Sequence, residues 1–480
     1  MLIPEISLTY QTVIRLKKEF DNHVAIIHSK MSQGEKYIQY NKCLNNEVDI
    51  LVGPRSAIFA PFDNLGLVVI DEVNDKAYHS DSTPRYSTLD VARFRCKFQN
   101  AMLLTLTATP TVSYFYNSNN SNIFLHKLSK RASNEVSLPK VNIVDMKEEY
   151  KNKNKSPFSS ILKNKINETL NRNEQVMLYM NRRGYSRILT CINCGYTFTC
   201  PHCDISLTLH NDGMLRCHYC GHEEKEPLIC PVCHDTKLTK YGLGTQKLEE
   251  LCQKEFKNAR ILRMDRDTTI KKNGHDEIIK KFMNHEADIL IGTQMIVKGH
   301  DFPYVTLVGV MCADMFLNIP DFTATEEAFS ILTQCIGRSG RKKQGEALIQ
   351  VYNTDNNVIK SVASQNYIKF YNEEIEYRKK LLYPPFCILL NLNLSSISES
   401  YLFEIAKDIK LFLSSIVYDK DIILGPARPN PSKIKDNYLI TFNIKTLDIN
   451  NAKIYREKLD EFINKKNKFG KLKYYFDIIK

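Results

Sequence analysis

Four Cys-x-x-Cys pairs constrain the fold of this chain more than any other feature of its sequence. All of them fall within one short segment, as Cys191/Cys194, Cys200/Cys203, Cys217/Cys220 and Cys230/Cys233. A Cys-x-x-Cys turn presents two thiolates to one ion, and two such turns complete a closed tetrahedral zinc site. The segment therefore predicts a module built around two structural zinc ions; the alternative is a chance spacing of buried thiols.

The residues between the second and third pairs predict which pairs share an ion. Residues 205–210 alternate apolar and polar side chains, residues 211–213 (Asn-Asp-Gly) are typical of a hairpin turn, and residues 214–216 start a return strand. A hairpin brings its two ends together, so the pairs should be nested. We expect an inner site of Cys200, Cys203, Cys217 and Cys220, and an outer site of Cys191, Cys194, Cys230 and Cys233.

Histidines near the cysteines are a second possible source of metal ligands. Eight thiolates already fill two tetrahedral sites, so we expect these rings to support the ligands or to face solvent. They are His202, His210, His218, His222 and His234.

Composition limits the class of protein. The chain has 480 residues, 43% of them hydrophobic and 25% charged, which is typical of a soluble protein of about three domains. Paired thiols in a chain without an apparent signal peptide or membrane-spanning run favour a reducing compartment, and we expect a cytoplasmic protein. The net charge of +12 favours a polyanionic partner, although a lysine-rich bias spread over all surfaces would give the same charge.

A strand that ends in two acidic residues predicts a nucleotide site before the cysteines. Residues 65–70 form a short apolar run typical of a buried parallel strand, and Asp71 and Glu72 follow it. Asp71 would hold a magnesium-bound water, and Glu72 would orient or deprotonate the attacking water. Strands often end in acidic residues, but a second apolar strand, 102–106, runs into the Thr-Ala-Thr-Pro turn 107–110 and strengthens the interpretation.

Two arginines after the cysteines predict the other half of a phosphate site. Arg338 and Arg341 lie three residues apart among glycines, so that on one helical turn they would face the same way. A planar guanidinium can bridge phosphate oxygens as charge spreads during γ-phosphate departure, and such fingers contribute about 10³–10⁵ in rate in well-studied NTPases. The alternative is a basic surface turn.

These motifs, in this order, resemble the PriA family of primosomal replication-restart helicases. The resemblance runs from Pro4 nearly to the C-terminus and includes Asn181-Arg182-Arg183-Gly184, Gly242-Leu243-Gly244-Thr245, Asp265-Arg266-Asp267-Thr268 and Gly292-Thr293-Gln294-Met295. It implies an α/β fold with two RecA-like helicase lobes, an inserted Cys-rich double zinc module and a small α+β C-terminal domain. It also implies ATP-dependent 3′–5′ unwinding at stalled forks, with ATP, Mg²⁺ and two Zn²⁺ as cofactors. Branched or single-stranded DNA, other primosome proteins and the replicative helicase loader are the implied partners, with no membrane.

The resemblance also assigns roles to individual residues. Thr107, Thr109 and Gln334 would contact the nucleotide. The polar, aromatic stretch after the acidic pair would contact DNA through Tyr78, Arg85 and Tyr86, with Lys298 touching the DNA backbone. The alternative for all four DNA residues is an ordinary solvated surface.

The expected domain boundaries follow from the same motifs. The first lobe would span 1–146, the second lobe 147–190 and 237–365, the zinc insertion 191–236 and the C-terminal domain 366–480. The Lys- and Asn-rich segment Lys147–Pro157 is interpreted as an exposed hinge. In the last domain we predict strand 387–395, helix 398–415, strands 421–425 and 437–444, helix 448–466 and strand 472–479.

Several positions depart from the family pattern. No Gly-x-x-x-x-Gly-Lys-Ser/Thr segment occurs in the chain, so we expect the first lobe to be incomplete at its start, with apolar edges exposed. Asn74 stands where the family has a histidine, Thr323 and Glu327 where it usually has arginines, and Pro54 where it has a threonine. These departures leave two alternatives to an active helicase: a non-catalytic zinc-containing DNA-binding or primosome-scaffold remnant, and a fragment of a disrupted gene.

Overall fold

The computed structural model divides the chain into two compact units. The first is Met1–Thr111 with Gln294–Pro303, and the second is Val112–Thr293 with Tyr304–Lys480. The residues that the structure describes are 1–4, 16, 18–29, 31–80, 83–120, 123–128, 137–154, 156–180, 187–191, 194, 196–202, 205–210, 212–218, 220–236, 238–240, 244–265, 268–269, 274–297, 302–317, 319, 321–429, 431–467 and 470–480. None of the described helices combines the length and apolarity needed to cross a bilayer.

The first unit is a parallel α/β layer. Its elements are β1 (Val24–Ile26), α1 (Gln33–Leu44), β2 (Ile50–Val52), β3 (Leu67–Ile70), α2 (Thr88–Gln99) and β4 (Met102–Thr105). Strand β1 pairs with β2 and β3 pairs with β4, both in parallel. Helix α1 begins at a capping box in which the side chains of Ser32 and Glu35 each accept the other's backbone N–H, and α2 begins at the N-cap Ser87.

Leu2 joins the two strand pairs. It forms parallel bridges to Gly53 after β2 and to Ile70 in β3. The Leu2 N–H donates to the Val69 carbonyl at 2.7 Å, and the Leu2 carbonyl accepts from the Asp71 N–H at 2.9 Å. Leu2 pairs with one edge of β3 and β4 pairs with the other. Leu67, Met102 and Leu104 of β3 and β4 and Phe94 and Phe98 of α2 are nevertheless exposed, in agreement with the expectation of exposed apolar surface in this unit.

The second unit holds three sheets and most of the helices. Its strands are β5 (Lys140–Asp145), β6 (Gln175–Met180), β7 (Arg187–Cys191), β8 (Thr208–Leu209), β9 (Met214–Arg216), β10 (Glu223–Lys225), β11 (Leu238–Lys240), β12 (Ile261–Met264), β13 (Ile289–Gly292), β14 (Val305–Met311), β15 (Glu346–Val351), β16 (Ile388–Ser396), β17 (Ile422–Ala427), β18 (Lys433–Ile434), β19 (Asn437–Thr446) and β20 (Lys473–Ile479). Its helices are α3 (Val112–Asn120), α4 (Met146–Lys151), α5 (Ser160–Asn171), α6 (Thr245–Glu255), α7 (Gly274–Met283), α8 (Ala324–Ile336), α9 (Asn357–Ala363), α10 (Tyr367–Lys380), α11 (Glu399–Ile416) and α12 (Ile449–Lys466).

A six-stranded parallel sheet forms the centre of this unit, in the order β12-β13-β6-β14-β15-β5. Every residue of β6 and β14 is buried, as expected for central parallel strands that are covered on both faces. Side chains of α5 and α6 pack in the same apolar core as these strands. The sheet and its helices are the RecA-like scaffold that positions the arginine turn after α8.

Strand β5 alters the expected division of the chain. The sequence placed residues 1–146 in the first lobe, but β5 pairs with β15 at the edge of the second unit's sheet. The division at Val112 therefore precedes the expected boundary. The expected hinge after residue 146 begins instead as helix α4, whose N-cap Asp145 accepts the Lys147 N–H.

The C-terminal part is an α+β domain. Its antiparallel sheet has the order β17-β19-β16-β20, with β18 beside β19. Helices α11 and α12 pack on one sheet face through the alternate apolar residues of β16 and β19, including Leu390, Leu392 and Phe442. Each of its predicted elements falls within two residues of its observed bounds.

Candidate zinc and nucleotide sites

The outer cysteine group has the geometry of a tetrahedral metal site. The Sγ atoms of Cys191, Cys194, Cys230 and Cys233 all lie within 4.8 Å of one another. Cys191 and Cys233 are 3.5 Å apart through their sulfurs, as are Cys194 and Cys230. Thiolates at the usual Zn–S distance of about 2.3 Å lie about 3.8 Å apart in a tetrahedron, so one zinc fits this group.

The inner group lies at the ends of the β8–β9 hairpin. The sulfurs of Cys200, Cys217 and Cys220 lie within 4.8 Å of one another, and those of Cys200 and Cys220 are 3.6 Å apart. Cys203, the fourth expected ligand, lies outside the described residues. Strands β8 and β9 are antiparallel, so the hairpin brings Cys200 close to Cys217 and Cys220. The described cysteines thus fall into the two nested groups that the hairpin argument requires.

The nearby histidines pair with one another rather than with the sulfurs. His202 lies edge-on to His222, and His210 edge-on to His218, each pair with ring centroids 5.3 Å apart. Neither cysteine group includes a described histidine. Burial lowers the pKa of His218 to about 4, which keeps its ring neutral near pH 7.

The inner zinc turn contacts the C-terminal domain. His218 Nδ1 hydrogen-bonds the Arg428 carbonyl. Gly221, at φ +81°, approaches the chain so closely that a Cβ there would lie 2.8 Å from the Pro426 carbonyl oxygen. Only glycine combines this backbone conformation with this close approach. The turn that carries Cys217 and Cys220 is therefore seated directly on β17.

Asp71 and Glu72 stand at the carboxyl end of β3, as the sequence predicts. The Asp71 carboxylate accepts the Glu72 N–H at 3.0 Å, and burial raises the pKa of Asp71. Glu72 adopts a left-handed backbone conformation with φ 47°, which turns the chain sharply after the strand. The arrangement places a half-buried carboxylate where α/β proteins hold ligands.

Tyr78 differs from its expected role as a DNA contact. Its side chain is 2% exposed, and its hydroxyl donates to the Asp71 carbonyl at 2.7 Å. A ring in this position supports the end of β3 and is not accessible to a base. We correct the expectation accordingly: burial by the first unit's own core outweighs the polar character of the surrounding sequence.

The structure describes two of the other three residues expected to contact DNA. Arg85 and Tyr86 are half-buried, and the Tyr86 ring lies edge-on to Phe59 at 5.2 Å. Lys298 lies outside the described residues.

Asn74 ties the acidic loop to the Thr-Ala-Thr-Pro turn. Its Nδ2 donates to Thr107 Oγ1 at 3.0 Å and to the Thr109 carbonyl. Thr107 Oγ1 in turn accepts the Thr109 N–H at 3.2 Å. The amide that stands where the family has a histidine thus donates to both threonines of the turn.

Arg338 and Arg341 lie just beyond a helix rather than on it. Helix α8 ends at Ile336, so the expectation that both share one helical turn is wrong. Arg338 is half-buried and Arg341 is exposed, while Gln334 lies on the last turn of α8. The turn is anchored at Gly340, whose N–H donates to the Val305 carbonyl at 3.1 Å.

Thr323 and Glu327, which stand where the family usually has arginines, bond to each other. The Thr323 hydroxyl donates to Glu327 Oε1 at 3.1 Å and lies 2.8 Å from Asp321 Oδ1. These polar contacts form the entry to α8.

Sequence reasoning missed a buried ionic cluster at the start of α8. It consists of Glu326, Glu374 and Arg378. The four-residue spacing of Glu374 and Arg378 could have suggested a helical ion pair. Nothing in the sequence links either residue to Glu326.

Comparison with protein families places three models on the chain. The PriA DNA helicase Cys-rich region matches residues 200–225, the helicase conserved C-terminal domain matches 217–343, and the DEAD/DEAH box helicase model matches 1–115.

Curated relatives are similar along nearly the whole chain. Replication restart protein PriA of Bacillus subtilis is 43% identical over 440 residues, 91% of this chain and 54% of that protein. The Chlamydia muridarum protein of the same name is 39% identical, covering 94% and 60%, and that of Treponema pallidum is 33% identical, covering 96% and 70%. The chain thus spans little more than half the length of the first of these relatives.

Similarity to solved structures is weaker. Yeast Dbp5 bound to RNA and ADP BeF3 has a TM-score of 0.42 at 14% identity, covering 80% of both chains. RecG bound to a three-way DNA junction has a TM-score of 0.39 at 14% identity, covering 78% of this chain and 38% of that one.

Proposed function

The chain belongs to the family of replication restart protein PriA, and from this premise we propose that it contributes the motor core of an ATP-dependent 3′–5′ DNA helicase of replication restart. Its substrate is branched or single-stranded DNA at stalled forks, and it initiates primosome assembly with other primosome proteins and the replicative helicase loader. One observation carries the proposal. Asn74, which closely follows the acidic pair at the end of β3, hydrogen-bonds the Thr-Ala-Thr-Pro turn, in a chain that also holds the Cys-rich module.

The catalytic roles follow from the chemistry of each residue. With Mg²⁺ and ATP bound, Asp71 would hold a water of the ion, and Glu72 would orient or deprotonate the attacking water. Arg338 and Arg341 stabilise the charge that spreads over the γ-phosphate. Thr107, Thr109 and Gln334 contact the nucleotide. Burial raises the pKa of Asp71, and a divalent ion beside it would favour the ionised form.

Two zinc ions complete the module in this proposal, one for each cysteine group. The sulfur separations of the described cysteines support this assignment. Zinc supplies folding free energy to the module, while Cys191 and Cys230 hold it from buried positions.

In the same proposal, Arg85, Tyr86 and Lys298 contact DNA.

The experiment is ATP hydrolysis by the purified chain with and without forked DNA. We expect forked DNA to stimulate hydrolysis, and Glu72→Gln to abolish the stimulated rate while leaving fork binding intact. Glu47→Gln, an exposed carboxylate elsewhere in the first unit, is the matched control and should behave as wild type. Fork binding without any hydrolysis would favour the non-catalytic scaffold instead, and absence of both would contradict either function.

A further inference from the structure

A buried arginine organises the start of α8. The Arg378 side chain is 2% exposed, yet it carries a full charge. Its Nη2 donates to Glu326 Oε2 at 3.0 Å, its Nε to Glu374 Oε1 at 2.9 Å and its Nη1 to the Pro384 carbonyl at 3.3 Å. One guanidinium therefore binds two helices and the segment that follows α10.

The same Glu326 oxygen also holds the beginning of α3. The Val112 N–H donates to Glu326 Oε2 at 2.8 Å. Val112 is the first residue of α3, and only Thr111 separates it in sequence from the Thr-Ala-Thr-Pro turn. Glu326 itself lies on the first turn of α8, whose other end leads into the Arg338 turn. One carboxylate oxygen thus links α3 to the helix that precedes the two arginines.

Neighbouring side chains leave the cluster little freedom. Glu374 Oε2 accepts a hydrogen bond from the Thr325 hydroxyl at 2.8 Å, and Glu374 Oε1 accepts one from Arg378. Both oxygens of this carboxylate are therefore hydrogen-bonded. The Arg378 guanidinium lies 5.4 Å from the ring centroid of Phe322.

The contacts continue into the C-terminal domain. Phe322 stacks on Tyr383 with ring centroids 4.7 Å apart. Lys445 of β19 lies over the Tyr383 ring, with its Nζ 3.8 Å from the ring centroid. Lys445 Nζ also donates to the Leu381 carbonyl at 2.8 Å. A continuous set of contacts therefore runs from α3 through α8 and α10 to β19.

Stability alone is a poor reason for such a cluster. Removing two carboxylates and a guanidinium from water is unfavourable for each ion, and apolar side chains of similar volume often fill such positions as well. The ions restrict geometry, because the planar guanidinium donates its hydrogen bonds in fixed directions. The cluster therefore fixes the position of α8 relative to α3.

We propose that Arg378 is a positioning residue of the motor: by holding Glu326 against the start of α3, it sets the position of α8, whose C-terminal end leads into the turn that carries Arg338 and Arg341. This inference rests on the proposed ATPase function, because it concerns the residues that would stabilise the leaving phosphate. The Arg378 side chain is 2% exposed, so in this proposal it acts through Glu326 and α8.

The kinetic test compares Arg378→Gln with wild type. Misplacing a catalytic group by about 1 Å can cost about 10²-fold in rate, so we expect kcat for DNA-stimulated ATP hydrolysis to fall by about that factor. KM for ATP and zinc content should be unchanged. Arg378→Lys keeps the charge but not the fork and should recover only part of kcat. Arg260→Gln, which breaks an exposed pair with Asp288, is the matched control and should leave kcat unchanged.

Amide hydrogen exchange provides a test that needs no ATP. In Arg378→Gln we expect faster exchange at Val112 and in residues 337–341, with no change in β6. If wild type hydrolyses no ATP, the proposed function fails while the exchange data still decide this inference. If Arg378→Gln does not fold, Glu326→Ala replaces it, since the Glu326 side chain is 13% exposed. The same changes in exchange and in kcat are then expected. Unaltered exchange in a folded variant, or an unchanged kcat, would overturn the proposal.

Discussion

The Asn74 amide donates to Thr107 Oγ1 at 3.0 Å and thereby joins the loop after β3 to the turn after β4. These two loops follow neighbouring parallel strands, and the Val73 N–H also donates to the Leu106 carbonyl at 3.1 Å, so a side chain and the backbone both connect them. The amide satisfies the Thr109 carbonyl as well, which makes it the shared partner of both threonines.

Asn74→Ala should weaken the connection between the two loops. The Thr109 carbonyl keeps the Thr107 hydroxyl as a donor at 3.1 Å, so we expect a cost of about 0.5–1.5 kcal/mol in the free energy of unfolding. We expect the DNA-stimulated ATPase rate to fall toward the unstimulated rate, measured as the ratio of the two. Asn45→Ala, which removes an exposed amide bonded to Glu47, is the control. An unchanged ratio in Asn74→Ala would show that coupling runs elsewhere.

The nested cysteine groups predict separate loss of metal. Cys200→Ala should release one zinc and leave the ion of the outer group bound, and Cys191→Ala should do the reverse. Native mass spectrometry of protein prepared under reducing conditions gives the zinc content of each variant. Cys252→Ala, a buried cysteine outside both groups, should retain both ions. Loss of both ions from Cys200→Ala would argue against independent sites.

Glu174 predicts a pH-dependent contribution to stability. Burial acts to raise its pKa, but hydrogen bonds from Lys343, Thr306 and Arg172 outweigh burial, and the pKa of Glu174 is lowered. A carboxyl with a depressed folded-state pKa stabilises the protein above its unfolded pKa, and this contribution disappears as pH falls through the folded value.

Glu174→Gln should therefore lower the free energy of unfolding at pH 7 by about 1–3 kcal/mol. The difference from wild type should shrink below about pH 4, measured by urea unfolding across the pH range. Glu168→Gln, in an exposed pair with Lys165, should show a much smaller effect at every pH. A difference that stays constant down to pH 3 would contradict an ionic origin.

Gly340→Ala should disturb the arginine turn. Gly340 has φ +75°, and a Cβ there would lie 2.5 Å from the Gly345 nitrogen. The strained backbone costs about 1–3 kcal/mol, and the clash must displace the turn. We expect a lower midpoint of unfolding together with a loss of stimulated ATPase. Gly66→Ala, where a Cβ would meet nothing within 4 Å, should affect neither. Wild-type ATPase in Gly340→Ala would mean that the turn tolerates displacement.

Local patterns in the sequence predicted local structure well. The C-terminal strands and helices fall within two residues of expectation because alternation of apolar residues sets strand faces and helical periodicity sets helix faces. The grouping of the described cysteines followed from one hairpin, since its ends must meet.

Relationships between distant segments could not be predicted in the same way. Tyr78 is buried because the first unit folds over it, although its neighbours in sequence are polar. Strand β5 pairs with β15 in the six-stranded sheet of the second unit. Glu326 bonds to Arg378, which lies 52 residues away in sequence. Such pairings depend on which surfaces pack together, and no short-range spacing encodes them.

The close approach of Gly221 to the Pro426 carbonyl has an evolutionary consequence. A side chain at position 221 would push the Cys217–Cys220 turn away from β17 unless the segment around 426–428 moved with it. Lineages that change one of these positions should therefore change the other, and the Cys-rich module and the C-terminal domain should be inherited together as a matched pair.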